Sequence, residues 1–216
     1  MKKQFAVIGL GRFGSSVART LYHMGFEVLG IDTNEDMVEA IKDDITYGIT
    51  ADAQEERVLE SLGIRNFDVA IVAIGNDLQA SILISLNIKN LGVKYVVAKA
   101  VNDTHGKVLE KVGADKIIYP ERDMGERVAH SLVSTNLLDY IEISNKYSLL
   151  EATVPDFMNQ KTLKETNLRV KFGVNVVAIK RGDDLLVSPP GEERLFKEDI
   201  LILIGKTTDL DKFSGM

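Results

Sequence analysis

Three glycines with an acid beyond them are the residues of this sequence whose types and spacing could do chemistry: Gly9, Gly11 and Gly14, then Asp32. That chemistry is the holding of a nucleotide by its phosphates and its ribose. Gly9 permits a tight turn, Gly11 lets the backbone come close to a phosphate, and Gly14 allows a helix to pack closely. The free N–H groups and partial positive charge of a helix start favour an anion. Asp32 can accept hydrogen bonds from the two ribose hydroxyls, and it would repel the 2′-phosphate of NADP. NAD, ATP, ADP and AMP share the rest of the pattern, which leaves them open. Arg12 and Phe13 fill the turn between Gly11 and Gly14. Arg12 reads either as a solvent-facing residue at the helix start or as a contact to an outer phosphate, in this subunit or a neighbour, because a guanidinium suits a pair of phosphate oxygens.

These residues need a strand before them, a helix after them and a second strand ending on the acid. The sequence supplies all three: Phe5 to Ile8, a helical pattern through Val17, Ala18 and Leu21, and Val28 to Ile31. Further alternation follows. Strands are expected near Thr46–Thr50, Asp68–Ile74, Tyr95–Ala98 and Lys116–Tyr119, with helices between. The fold class is therefore α/β, a Rossmann-like doubly wound parallel sheet in the order 3-2-1-4-5-6. Ligands in such sheets bind beyond the carboxyl ends of the strands. That rule nominates Asp32, Thr33 and Asn34, then Asp52 and Ala53, then Ile74, Gly75 and Asn76, then Lys99, Ala100 and Val101, and finally Glu121. His105, in the first turn of the next helix, is expected to face the same crevice. Asn34 and Asn76 can equally be helix caps, and Lys99 a surface cation. Glu121 reads as a divalent-cation ligand near phosphates or as an acid favoured by a helix dipole. A helix is expected over Met124 to Asn136.

Near Asn136 the alternation stops. Strands are expected at Tyr140–Ile143, Ser148–Val154, Val174–Lys180, Leu185–Val187 and Ile200–Ile204, with a short helix or turn in Pro155–Asn167. This is a small α+β lobe of about 70 residues, a size that often gains stability from dimerisation. The expected division is a nucleotide-binding domain over 1–122, a crossover helix and linker over 123–140, and a C-terminal domain over 141–216.

Composition bounds the function. The chain has 216 residues, 45% hydrophobic and 27% charged, which is ordinary for a globular protein. A net charge of −6 argues against a nucleic-acid partner. Cysteine is absent, which fits a reducing cytoplasm. No apolar run reaches the ~18 residues of a membrane span. His23, His105 and His130 sit in no metal-ligand spacing and beside no evident nucleophile. A regulatory nucleotide sensor therefore fits better than an NAD-dependent oxidoreductase, for which no acid/base candidate is evident.

Several stretches together resemble a known family: FAVIGLGRFG (Phe5–Gly14), GIRNFDVAIVAIG (Gly63–Gly75), QAS (Gln79–Ser81), the run from Lys99 to Asp115, PERDM (Pro120–Met124), NLLDY (Asn136–Tyr140) and FGVNVVAIKRG (Phe172–Gly182). The sequence is similar to the KtrA/KtrC-type cytosolic subunits of bacterial potassium uptake systems, within the RCK (regulator of K⁺ conductance, TrkA-type) family. The resemblance implies a Rossmann-like lobe, a crossover helix and a small C-lobe. It also implies dimers assembling to an octameric ring under a membrane K⁺-translocating subunit of KtrB/KtrD type, hence a peripheral place on the cytoplasmic face of the membrane. ATP is then expected to activate and ADP to inactivate, with Arg12 at the γ-phosphate across the dimer, Asp32 on the ribose and Glu121 helping to hold Mg²⁺ or Ca²⁺. The C-lobe of the family binds cyclic di-AMP between two subunits. Arg169 and Asn175 match that motif, with Leu163, Leu168 and Val174 nearby. Ser15 stands where many relatives carry a further glycine. A TrkA-type subunit sensing NAD(H) is the runner-up.

Overall fold

The computed structural model describes residues 2–133, 137–144 and 146–214. It divides into two compact units, Met1–Glu121 and Arg122–Met216.

The first unit begins with β1 (Gln4–Ile8), α1 (Arg12–His23), β2 (Glu27–Asp32), α2 (Glu35–Glu39), β3 (Tyr47–Thr50) and α3 (Glu56–Ser61). It continues through β4 (Val69–Val72), α4 (Leu78–Asn90), β5 (Tyr95–Lys99), α5 (Asp103–Lys111) and β6 (Lys116–Ile118). All six strands are parallel, in the order β3-β2-β1-β4-β5-β6. Consecutive side chains of a strand point to opposite faces. In β1, Ala6 and Ile8 enter a core with Ile31, Val72, Leu59, Ile84, Ile88 and Leu109. Val7 enters another, with Val28, Ile71, Ala18, Val38 and Ile41. Helices thus cover both faces, which is why these strands read as unbroken apolar runs. Each fully buried Ile or Leu contributes about 1.5–3 kcal/mol to the fold.

Several boundaries differ from the sequence reading by a few residues, and two of these bear on the site. The fourth strand stops at Val72 instead of Ile74, because Ala73 and Ile74 already turn past the glycine loop: a Cβ on Gly9 would lie 3.1 Å from Ile74 Cγ1 and 3.2 Å from the Ala73 carbonyl carbon. The helix after β6, α6 (Pro120–Val133), starts four residues earlier than expected. Proline suits a first helical position because its missing N–H has no partner there in any case. Glu121 consequently lies in a helical first turn and not at a strand end. The expected helix end at Asn136 lies outside the described residues, as does the side chain of His130.

The second unit carries β7 (Leu137–Ser144), β8 (Tyr147–Thr153), α7 (Leu163–Thr166), α8 (Leu168–Phe172), β9 (Asn175–Arg181), β10 (Asp184–Val187), β11 (Ile200–Lys206) and α9 (Thr207–Ser214). Its antiparallel sheet runs β10-β9-β11-β8-β7. Alternate residues Leu150 and Ala152 of β8 and Leu201 and Leu203 of β11 face a core closed by Leu168, Val174, Leu210 and Phe213. The polar stretch before Asn167 forms α7 behind a capping box of Thr162 and Glu165. Asn167 then takes a left-handed conformation, φ 52°, which breaks the chain direction between α7 and α8. No helix among the described residues is long and apolar enough to cross a membrane.

Candidate nucleotide site

Beyond the carboxyl ends of the parallel strands lies a cleft of about 700 Å³. The start of α1 forms one wall. Its N-cap, Gly11, supplies no side-chain hydrogen bond, and no acid stands in its first turn. By contrast α2, α4 and α5 are capped by Asn34, Asp77 and Asn102. The first-turn N–H groups of α1 are therefore left for a ligand. A Cβ placed on Gly11 would meet nothing within 4 Å, so this glycine faces open space. A Cβ on Gly14 would overlap the Gly9 carbonyl oxygen, and that close approach seats α1 on the sheet.

Asp32 lies at the end of β2. Its Oδ2 accepts a hydrogen bond from the Leu10 backbone N–H at 2.6 Å, and its Oδ1 accepts one from Asn34 N–H at 2.9 Å. Each oxygen keeps a lone pair for a hydroxyl group. Asp52 and Gln54 follow β3, and the Gln54 carbonyl is fixed by the Asn87 side chain at 3.1 Å. Asp32 and Asp52 thus sit on the β2–β3 half of the cleft. Arg12 and Lys99 lie further along, beyond β1 and β5, with Asp77 and Glu121 among the lining there. Arg12 is exposed at the first position of α1, and among the described residues nothing pairs with its guanidinium. Lys99 ends β5, is nearly buried, and donates from Nζ to Glu121 Oε1 at 2.5 Å. From β2 to β5 there are three strand spacings, about 14 Å. The hydrogen bond from Lys99 holds the Glu121 carboxyl below the usual carboxylate range.

Of the residues nominated from sequence, the cleft is lined by Gly9, Gly11, Arg12, Phe13, Asp32, Thr33, Asp52, Ala53, Ile74, Gly75, Asn76, Lys99 and Glu121. Five do not line it. Gly14 is buried beneath the turn. The Asn34 side chain caps α2, accepting from Asp36 N–H at 2.8 Å. Ala100 is buried and Val101 is exposed outside the cleft. His105 is only 4% exposed, packed inside the first unit. Its Nδ1 accepts from Val101 N–H at 3.4 Å, which leaves the proton on Nε2, and Nε2 has no partner among the described residues. Burial pushes its pKa down. For Asn76 the capping role passes to Asp77, which accepts from Ala80 N–H at 2.9 Å, and Asn76 stays open to the cleft.

Sequence reasoning missed Met37, Gln54 and Asp77, which also line the cleft. The first turn of α2 and the two residues past Asp52 could have been included by extending the strand-end rule one turn further. No group of three or more His, Cys, Asp or Glu able to hold a metal occurs among the described residues. In the second unit, Leu168 and Val174 are core residues at 4% and 0% exposure, Leu163 is partly buried, and Arg169 and Asn175 are exposed.

Comparison with known proteins adds to this geometry. A family model for the TrkA-N domain matches residues 5–120 and one for the TrkA-C domain matches 151–215. The chain is 49% identical to Ktr system potassium uptake protein C of Bacillus subtilis over 99% of its own length and 96% of that protein. It is 38% identical to Ktr system potassium uptake protein A of Vibrio alginolyticus over 94% and 92% of the two chains. Among solved structures, the GsuK RCK domain superposes with a TM-score of 0.69 at 18% identity, covering 99% of this chain and 47% of that one. The GsuK channel bound to NAD gives 0.68 at 17% identity, over 97% and 38%. This chain spans half or less of those structures, and at these identities the likeness is one of fold.

Proposed function

Because the chain belongs to the TrkA-domain (RCK) family and to its Ktr potassium-uptake branch, we propose that it is the nucleotide-sensing, non-enzymatic regulatory subunit of a Ktr-type bacterial K⁺ uptake system. The observation that carries this reading is the 49% identity to Ktr protein C over 99% of this chain and 96% of that protein. The cleft supports it. Acids for ribose lie at one end, and an open helix start with Arg12 and Lys99 lies at the other.

In this reading ATP activates and ADP inactivates. The two share every adenosine contact, so only the terminal phosphate can bias one conformational state over another. Arg12, which nothing pairs with among the described residues, is the residue to meet that phosphate, in its own subunit or across a dimer. Glu121 contributes one oxygen to a Mg²⁺ or Ca²⁺ ion whose other ligands come from phosphates and a neighbouring copy. The copies assemble as dimers into an octameric ring on the cytoplasmic face of a KtrB/KtrD-type membrane subunit. Cyclic di-AMP binds the second unit, where Arg169 and Asn175 are the exposed polar candidates. NAD(H) is the second reading, favoured by a cleft that crosses the whole carboxyl edge of the sheet.

Thermal unfolding with ATP, ADP, NAD⁺ and NADH, each with and without Mg²⁺ or Ca²⁺, tests this. A ligand at 100 times its Kd stabilises by about 2.7 kcal/mol. Stabilisation by ATP and ADP, with a cation adding to ATP alone, supports the proposal. Arg12→Ala should then erase the difference between ATP and ADP while keeping the shift given by AMP. Strong stabilisation by NADH with none by ATP would overturn the ATP assignment.

A further inference from the structure

Asn87 breaks an apolar stripe. Ala80 and Ile84 of α4 line the cleft, and Asn87 follows them at the i, i+4, i+7 spacing of one helix face. The residue is buried, 8% exposed. An apolar side chain would fill this place without the cost of desolvating an amide. The amide instead donates from Nδ2 to the Gln54 carbonyl at 3.1 Å, across 33 residues of chain.

Gln54 belongs to the turn between β3 and α3, where Asp52, Ala53 and Gln54 line the β3 end of the cleft. The turn is built mainly from its own polar groups. Asp52 Oδ1 accepts the Gln54 N–H at 2.9 Å and the Gln54 side-chain amide at 3.4 Å. The helix beyond it, α3, begins without a side-chain cap. Among the described residues, Asn87 makes the one hydrogen bond that reaches Asp52, Ala53 or Gln54 from another element.

The strand order gives this turn its place relative to a ligand. β3 lies outside β2, whereas α1 starts beyond β1 on the other side. A nucleotide with its ribose on Asp32 and its phosphates at α1 therefore lays its base over the β3–α3 turn. There an acceptor stands beside a donor: Asp52 Oδ2 and the Ala53 N–H make no hydrogen bond among the described residues. Adenine carries an amino donor beside a ring-nitrogen acceptor and fits that pair. Guanine carries a carbonyl oxygen in place of the amino group, and a carboxylate repels it.

We propose that Asn87 is a positioning residue for the base: by pinning the Gln54 carbonyl it holds the β3–α3 turn in the shape that sets Asp52 against an adenine amino group. This rests on the nucleotide reading above. Without the bond the turn must be ordered by the ligand, and that cost falls on the base-dependent part of the affinity.

The test is the apparent affinity of the full chain for ADP, GDP and inorganic pyrophosphate, read from thermal midpoints across a titration of each. Wild type should prefer ADP to GDP by tenfold or more. Asn87→Leu, close in shape and apolar, should weaken ADP about three- to tenfold, the worth of one hydrogen bond, and leave GDP and pyrophosphate unchanged. If N87L does not fold, Asn87→Ala carries the same expectation. Ser85→Ala is the packing control. It removes the buried bond from Ser85 Oγ to the Ser81 carbonyl, 2.7 Å, in the same helix, and should lower the ligand-free midpoint while keeping the ADP preference. A wild type that binds ADP and GDP equally, an N87L that keeps the full preference or weakens pyrophosphate as much as ADP, or an S85A that loses the preference overturns the proposal. A wild type stabilised by none of the three overturns the nucleotide reading itself.

Discussion

Arg181 grips Asp199 through two parallel hydrogen bonds, Nε to Oδ1 and Nη2 to Oδ2, each 2.8 Å long. Asp199 is only 1% exposed and accepts also from Phe196 N–H at 2.9 Å. The guanidinium lies over the Phe196 ring at 4.8 Å and reaches the Arg194 carbonyl at 2.9 Å. One side chain of β9 thus fixes the loop that leads into β11. Arg181→Met should cost about 2 kcal/mol, since it strips charged hydrogen bonds from a buried carboxylate. Burial works to raise the Asp199 pKa, but the Arg181 and Phe196 hydrogen bonds outweigh it and hold the carboxyl below its ordinary 3.8. The folded form then binds fewer protons, so this stability is complete above about pH 4 and is lost as pH falls further. Acid titration of wild type and R181M should show their gap closing at low pH.

Gly11 and Gly14 make opposite predictions. Gly11 has ordinary φ −64° and ψ −171° with empty space at its Cβ, so Gly11→Ala should fold with a midpoint within about 2 °C of wild type. In the nucleotide reading proposed above the new methyl group points where a phosphate comes close, and nucleotide stabilisation should fall tenfold or more in apparent affinity. Gly14→Ala places its methyl on the Gly9 carbonyl and should destabilise by about 1–3 kcal/mol with or without ligand. Melting curves of the two variants with and without ADP separate binding from packing.

His105 gives a pH signature to the first unit. Desolvation lowers its pKa from the ordinary 6.5, so between the folded and unfolded values the unfolded chain binds more protons. Stability should therefore rise with pH and be complete above about pH 6.5. Below that it declines as the buried ring is forced to charge. His105→Gln should flatten the midpoint between pH 7 and 5.5. A slope unchanged in H105Q would remove His105 as its source.

Much of the first unit was legible because its signals are local. Glycine spacing, apolar runs and an acid at a strand end fix β1, α1 and β2, and doubly covered strands announce themselves by unbroken hydrophobicity. His105 shows where that reasoning stops. Its place in a first helical turn puts it near the crevice in sequence, but the ring direction depends on how α5 docks, and it points into the core. Ala100 and Val101 miss the cleft for a related reason: the chain turns away within a residue of Lys99. Glu121 was legible as a cleft acid, yet its pairing with Lys99 was not, since the two come from different elements 22 residues apart. In the second unit, Leu168 and Val174 read as apolar neighbours of a ligand motif, and only the packed core shows them enclosed.

The two backbone bonds of Asp32 have a kinetic consequence. One ties the acid to Leu10 inside the glycine turn, the other to Asn34 beyond it. The turn is held in its working shape by the chain itself, before any ligand arrives. Under the nucleotide reading proposed above, the turn itself needs no remodelling to take a phosphate, and capture there is set by encounter. Differences among ligands fall on how long each one stays. If the proposed nucleotide sensing holds, the chain tracks a changing ratio of ligands only as fast as the slower of them leaves.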